Sequence, residues 1–340
     1  MSLRVVERNA ARRTRVLVTT VPFAEQDRGP RELLDQAEVT YEINPLGRRL
    51  REDELTQLAR DVDVLIAGTE PITERVMQAA PRLRLIARVG VGLDNVDLAA
   101  ARRRGIQVAY TPDAPSPAVA EMTVGLMLAL LRHIPHADRD LRRGEWQRRM
   151  GRRLAELTVG IVGVGRIGQR VIHHLRGGFP ETRLLANDLV PDRPFGAQQR
   201  LEWVDKETLF CSADVVSLHV PLTPLTRGLV GRRVLAGMKS GAVLVNTARG
   251  EVVDENDLAT ALREERLGGA AIDVFEREPY TGPLVGLERC LLTCHMGSMS
   301  EDCRHRMELE ATEEALRFLR DEPLRNPAPD AEYELQGAVA

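Results

Sequence analysis

Residues 158–168 read Thr-Val-Gly-Ile-Val-Gly-Val-Gly-Arg-Ile-Gly, an apolar strand that runs into Gly163, Gly165 and Gly168 and then into a helix over 169–175. That order has a physical logic. The first glycine allows a tight turn, the second lets a pyrophosphate approach the backbone, and the third lets the helix lie close to the strand. Free N–H groups and the positive end of the helix dipole then face the phosphates. Glycines alone are ordinary loop punctuation, but a strand before them and a helix after is the context dinucleotide binding requires. A carboxylate should follow the second strand to accept hydrogen bonds from ribose hydroxyls, and Asp188 stands there, after 183–187. Its charge would repel a ribose phosphate, which favours NAD over NADP, although Arg183, Arg193 or Arg200 could moderate that repulsion.

Three further segments carry charge where strand-like runs end: 246–250 (Asn-Thr-Ala-Arg-Gly), 273–279 (Asp-Val-Phe-Glu-Arg-Glu-Pro) and 293–298 (Thr-Cys-His-Met-Gly-Ser). Open α/β sheets place their ligands at such strand ends. One cation, one carboxylate and one histidine could thus converge on one cleft. Taken singly, His295 also reads as a satisfied structural histidine, and Glu276 or Glu278 as the cap of a turn. Cys290, Cys294 and Cys303 lie near His295, yet their spacing matches no common zinc pattern. They read as small thiols, and no metal is expected.

The elements that must position these residues alternate between strand and helix almost throughout. Strands are expected at 15–20, 62–67 and 83–89, with helices at 29–37, 52–60 and 73–80. Pro112, Pro115 and Pro117 then punctuate the chain and open one long helix over 117–142. A second series of strands follows at 157–162, 183–187, 215–220, 242–246 and 269–274, each short and aliphatic as befits strands covered on both faces. A helix over 301–320 should pack back on the first unit, with the tail 321–340 a strap or loose end. The expected fold is α/β, two doubly wound domains of Rossmann-like or flavodoxin-like type with parallel sheets and an active site in the inter-domain cleft. Residues 1–112 and 289–340 would form a discontinuous substrate-binding domain, and 113–288 the NAD-binding Rossmann domain.

Composition agrees with a folded protein of this kind. A chain of 340 residues exceeds the size at which one hydrophobic core keeps growing. Its 47 Lys and Arg against 50 Asp and Glu offer no global attraction to nucleic acid or an anionic membrane. The first residues, 1–14, are Arg-rich and lead into 16–18 without a signal-peptide apolar region. The longest apolar stretch, 122–131, is far too short to span a bilayer. Four cysteines suit reduced thiols rather than a disulfide framework, so a cytoplasmic location is expected.

The segments above, together with 88–97 (Arg-Val-Gly-Val-Gly-Leu-Asp-Asn-Val-Asp), Ala120-Glu121 and 218–223 (Leu-His-Val-Pro-Leu-Thr), resemble the D-isomer-specific 2-hydroxyacid dehydrogenases, including the D-3-phosphoglycerate dehydrogenases. The likeness runs in order through about residues 15–320. It implies that Arg249 orients the substrate's carboxylate and carbonyl through its planar fork. It implies that His295 exchanges a proton with the carbonyl oxygen, and that Glu278, directly before Pro279, orients the imidazole and favours its protonated form. Asp273 would bind the carboxamide of NAD, Thr247 and Ala248 would line the ring, and Arg166 and Ile167 would contact the pyrophosphate. His219, Val220, Pro221, Gly297 and Ser298 complete the implied cofactor set, while Val91 and Gly92 would receive the substrate carboxylate on backbone amides. The resemblance also implies a homodimer, with the apolar face of 119–131 meeting its mate or else serving as internal core.

Departures from the family bear on substrate more than on reaction. The link from Gly168 to Asp188 is longer than usual, with 177–180 (Gly-Gly-Phe-Pro) as the insertion, so the adenosine end should sit differently. Where many phosphoglycerate dehydrogenases carry an arginine, this chain reads 67–71 (Ala-Gly-Thr-Glu-Pro), and Glu70 would repel an anion if it faced the cleft. Pro115 replaces a common asparagine, and Ser298 replaces a glycine. The implied function is interconversion of a D-2-hydroxy acid and a 2-oxo acid with NAD, on a small-molecule substrate that could carry a phosphate or phosphonate, such as 3-phosphoglycerate, read by Arg88 or another arginine. Phosphite, glyoxylate or hydroxypyruvate chemistry on the same scaffold is an alternative. A reading from another class is an NAD(H)-sensing interaction protein similar to the C-terminal-binding co-repressors.

Overall fold

The computed structural model describes residues 14–337; the Arg-rich leader up to residue 13 and residues 338–340 lie outside the described residues. The chain divides into two compact units, one holding residues up to Ala114 and from Arg304 onward, the other Pro115–Cys303.

The first unit is built on β1 (Arg15–Val18), β2 (Thr40–Ile43), β3 (Val64–Ala67), β4 (Leu85–Arg88) and β5 (Gln107–Ala109). They form one parallel sheet in the order β2-β1-β3-β4-β5, the flavodoxin-like arrangement. Burial explains the order. All four residues of β3 and of β4 are buried, as central strands covered on both faces must be, whereas β2 alternates between exposed and half-buried residues at the edge. Helices Glu74–Ala79 and Leu98–Arg103 start on side-chain caps, Thr73 accepting from the Val76 N–H and Asp97 from the Ala100 N–H. The tail is a strap. Pro327 bridges to Ala109, the Ala328 N–H donates to the Val108 carbonyl at 2.8 Å, and a terminal helix, Asp330–Gly337, follows.

The second unit contains β6 (Thr158–Val162), β7 (Arg183–Asn187), β8 (Glu202–Trp203), β9 (Val215–Leu218), β10 (Val243–Asn246), β11 (Gly269–Ile272) and β12 (Cys290–Leu292). All are parallel, in the order β12-β11-β10-β9-β6-β7-β8, so the strand order reverses between β6 and β9. That is the Rossmann order with one more strand at the β11 edge. The extra strand moves the return crossing. β12 pairs with β11, and the chain re-enters the first unit only at Arg304, not at the expected residue 289.

One long helix was expected over 117–142, but two are present, Ser116–Leu131 and Ile134–Arg142, set at 60°. Pro135 is the cause. A proline lacks the N–H for a continuing helix and its ring clashes with the carbonyl four residues back, so the chain breaks with His133 at φ 53° and restarts. The first of these helices buries Val119, Ala120, Thr123, Leu126, Met127 and Leu131, and packs with β6 and the helix Arg166–Gly178 in one core. Those side chains are internal core, while Met122, Val124, Leu128 and Leu130 of the same helix are only partly buried against it. The exposed apolar side chains lie further on, at Ile134, Leu141, Trp146 and Met150. Among the described residues no single helix is long and apolar enough to cross a membrane.

Met127 is fully buried in this core. Met127→Ala should lower the unfolding free energy by about 2–5 kcal/mol through lost burial and a residual cavity, measurable by urea titration.

Candidate active site

Strand β6 ends at Val162, and the chain turns through Gly163, Val164 and Gly165 into the helix Arg166–Gly178, which starts directly on the glycine turn, earlier than expected. Gly163 has φ +91°, and a Cβ there would lie 2.6 Å from the His219 carbonyl oxygen. At Gly168 a Cβ would stand 2.1 Å from the Gly163 carbonyl oxygen, whereas one at Gly165 meets nothing within 4 Å. The turn is thus closed on its protein side and open at the helix N-terminus, over Arg166 and Ile167. These residues fit a dinucleotide's pyrophosphate.

Asp188 follows β7, and its carboxylate accepts from the Val164 N–H at 2.7 Å and the Val190 N–H at 3.0 Å. The longer link between glycines and carboxylate therefore leaves Asp188 against the turn. The extra residues 177–180 lie at the opposite end of the sheet, where the helix ends and β7 enters register with Thr158 beside Arg183.

Across the reversal point, the His219 N–H donates to the Val162 carbonyl at 2.7 Å, and its ring Nε2 meets Ser217 Oγ at 2.8 Å. Burial pushes the imidazole down to about 3, so this ring is neutral. Val220 and Pro221 continue the same strand end. After β10, Asn246 folds the next loop by accepting from the Ala248 N–H at 3.0 Å and donating to the Arg249 carbonyl at 2.8 Å. The Thr247 hydroxyl meets that of Thr123 at 2.9 Å, and Thr123 in turn donates to the Val119 carbonyl. Arg249 donates from Nη1 to the Ala248 carbonyl at 2.7 Å.

The ends of β11 and β12 are joined by Asp273, which is 1% exposed. Its Oδ1 accepts from the Thr293 hydroxyl at 2.6 Å and the Met296 N–H at 2.9 Å, and its Oδ2 from the Gly297 N–H at 2.9 Å. The Asp273 carbonyl takes the His295 N–H at 2.7 Å. The loop 293–297, with Ser298 after it, is shaped around this carboxylate. His295 sits at φ 51°, a left-handed conformation that costs a residue with a bulky ring energy and persists only where its surroundings impose it. Its ring Nδ1 lies 3.0 Å and 2.9 Å from the two carboxylate oxygens of Glu278. A carboxylate only accepts, so Nδ1 carries the hydrogen and Nε2 is the nitrogen left to exchange a proton with a ligand. Glu278 is itself aimed by the Phe275 N–H at 3.2 Å, while Glu276 is exposed.

Residue type alone did not single out Thr123, Ser217 or Thr293, each of which holds a site residue in place. Thr293 had a signal, its place two residues before His295. Val91 and Gly92 lie in the other unit, after β4, and neither backbone N–H has an acceptor among the described residues. Glu70 turns inward rather than outward. It is 1% exposed, and its carboxylate takes the Thr19 hydroxyl and the Gly68 N–H. Arg88 is likewise occupied, donating to Asn95 Oδ1 at 3.1 Å and to the Val89 carbonyl. Among the described residues no group of three or more His, Cys, Asp or Glu is placed to hold a metal ion, and all four cysteines are free thiols.

A family model for the NAD-binding domain of the D-isomer specific 2-hydroxyacid dehydrogenases matches residues 124–297. A D-3-phosphoglycerate dehydrogenase of Methanocaldococcus jannaschii is 40% identical over 283 residues, 82% of this chain and 53% of that one. A hydroxypyruvate reductase of Thermotoga maritima is 37% identical over 286 residues, 82% of this chain and 92% of that one. A crystallised protein of Thermus thermophilus superposes with a TM-score of 0.84 at 36% identity, covering 93% of this chain and 100% of its own. The chain thus spans 53% of the dehydrogenase but most of the reductase. It belongs to the D-isomer specific 2-hydroxyacid dehydrogenases, a family of NAD-dependent oxidoreductases, and its cofactor is NAD.

A methyl group at residue 168 cannot be accommodated without opening the turn. Gly168→Ala should weaken NADH binding by at least about tenfold in a fluorescence titration while leaving the fold intact by circular dichroism.

Proposed function

We propose that this chain interconverts a D-2-hydroxy acid and a 2-oxo acid with NAD(H), and the observation that carries the proposal is the Glu278–His295 contact, placed at the same end of the parallel sheet as the glycine turn. In reduction, His295 gives a proton from Nε2 to the carbonyl oxygen, and in oxidation it takes one back. Glu278 holds the ring's orientation through Nδ1. Arg249 presents paired donors to the substrate's carboxylate and carbonyl, and the Val91 and Gly92 N–H groups bind the carboxylate. Asp188 takes the adenosine ribose, Arg166 and Ile167 the pyrophosphate, and Thr247, Ala248, His219, Val220, Pro221, Gly297 and Ser298 line the remainder, with the open acceptor position on Asp273 toward the carboxamide. NAD, when bound, accepts or supplies the hydride.

Within this reaction we favour a short unphosphorylated acid such as hydroxypyruvate or glyoxylate. In the first unit, the arginines nearest the ends of β1 and β4 are already spent. Arg304 is 9% exposed and donates to Glu308 at 2.5 Å, to the Thr20 hydroxyl at 2.6 Å and to the Pro22 carbonyl, while Arg88 holds Asn95. Glu70 adds a buried carboxylate where a phosphate would want a cation.

The proposed assembly is a homodimer through residues 134–150, where Ile134, Leu141, Trp146 and Met150 are 55%, 59%, 83% and 93% exposed. Four large apolar side chains this exposed within seventeen residues are the support for an interaction surface there.

Two measurements test these statements. Turnover of NADH with hydroxypyruvate or glyoxylate should exceed that with 3-phosphohydroxypyruvate in kcat/KM, and His295→Ala should cut kcat by at least about a hundredfold with NADH binding retained. Cofactor binding without turnover of any acid would instead favour an NAD(H)-sensing protein. In sedimentation, the parent should run as a dimer and Trp146→Glu as a monomer; a dimer unaffected by that charge would exclude this face.

A further inference from the structure

The terminal helix Asp330–Gly337 packs in the first unit against the helix Leu98–Arg103. Two anchors fix its start. Asp330 pairs with Arg102, and the Arg102 guanidinium lies 4.0 Å over the ring of Tyr333, which itself packs on the core of this unit. The third anchor is of another kind. Gln336 donates from Nε2 to the Leu93 and Val96 carbonyls, each at 3.1 Å, and accepts on Oε1 the Leu98 N–H at 2.9 Å.

Those three backbone groups belong to the segment that directly follows Val91 and Gly92. The Leu93 carbonyl also accepts the Val96 N–H at 3.1 Å, but Val96 and Leu98 are 1% and 0% exposed, so the Val96 carbonyl or the Leu98 N–H, if it lost the amide, would have little water to turn to. The Leu98 N–H is also one of the first N–H groups of its helix, which has no partner within the helix. The far end of the loop is held by a backbone bridge to Ile72, whose N–H donates to the Asn95 carbonyl at 2.7 Å and whose carbonyl takes the Asp97 N–H at 3.0 Å, and beside it by this one primary amide; the near end is held by the Gly90 N–H on the Thr111 hydroxyl at 2.8 Å. Asn95 pins its middle through the Gly68 and Glu70 carbonyls at 3.2 Å and 2.7 Å. The Val91 and Gly92 N–H groups stand between clamped ends.

We infer that Gln336 is a positioning residue: through its amide, the C-terminal helix braces the backbone loop that binds the substrate's carboxylate. The inference rests on the reading above that Val91 and Gly92 make that contact. Gln336 touches no substrate. Its influence passes through Leu93, Val96 and Leu98, and so falls on substrate affinity rather than on the proton or hydride step.

The test compares the full-length enzyme with Gln336→Ala and Gln336→Glu. The glutamate keeps the acceptor for Leu98 but turns a carboxylate toward two carbonyls, so it should be no better than alanine. In both, KM for the 2-oxo acid should rise about tenfold with kcat within about twofold and the affinity for NADH unchanged. Hydrogen exchange should quicken at residues 91–98 and stay constant in β3 and β4. An active parent whose variants keep the parental KM, or exchange at the parental rate in 91–98, overturns the inference alone. A parent that binds NADH but turns over no 2-oxo acid overturns the reaction reading and the positioning role with it, while the exchange data would still separate the two failures.

Discussion

The arrangement at the ends of β11 and β12 depends on one buried carboxylate. Asp273, 1% exposed, could not remain there unpaired, since a charge removed from water must be compensated by donors close at hand. The donors come from the Thr293 hydroxyl and the Met296 and Gly297 N–H groups, and gathering them requires the loop 293–297 to curl around the carboxylate. The curl puts His295 into its left-handed conformation and hands its N–H to the Asp273 carbonyl. The imidazole is then presented to Glu278, which the Phe275 N–H has aimed in turn. The strain at His295 is thus offset by Asp273. Oδ2 makes only one of these bonds, so the same atom that shapes the loop retains capacity toward a carboxamide.

A second constraint acts where the strand order reverses. The Gly163 turn and the His219 strand end are in van der Waals contact, and the His219 N–H bonds the last residue of β6. Gly163 relieves this crowding, and Gly165, where a Cβ would meet nothing within 4 Å, opens the turn at the helix N-terminus, so closeness on the protein side and openness toward phosphate fall to two neighbouring glycines. His219, held neutral by burial, adds no positive charge beside the turn. In the proposed site the oriented N–H groups of the helix N-terminus, beside Arg166, supply the attraction for a pyrophosphate.

Legibility in the sequence followed burial. The buried central strands β3, β4, β6, β9, β10 and β11 are continuous aliphatic runs, and they stand out against their neighbours. The edge strands β2, β5, β8 and β12 were missed because they are two to four residues long or alternate in exposure, and so have too little burial to bias composition. Missing β12 misplaced the return crossing. Reading 117–142 as one helix gave hydrophobic content more weight than Pro135, and the backbone obeyed the proline. The longer link before Asp188 was visible as an insertion, but only sheet register reveals that it lies at the end remote from the glycines.

The same contrast separates what the candidate site says about reaction from what it says about substrate. The roles proposed for Arg249, Glu278 and His295 rest on side chains whose chemistry is written in their identity, and each stands shortly after a recognisable strand or the edge strand beside it. In the first unit the groups proposed to work are backbone N–H donors at Val91 and Gly92, whose identity says little, in a loop whose next residues bond an amide more than two hundred residues away in sequence. Its charged residues mislead when read alone. By charge Glu70 would repel an anion and Arg88 would attract one, yet the first braces Thr19 and Gly68 and the second braces Asn95. On the proposed reading, recognition in that unit depends on where backbone is held rather than on which side chains are displayed, and a residue as remote as Gln336 belongs to it for that reason.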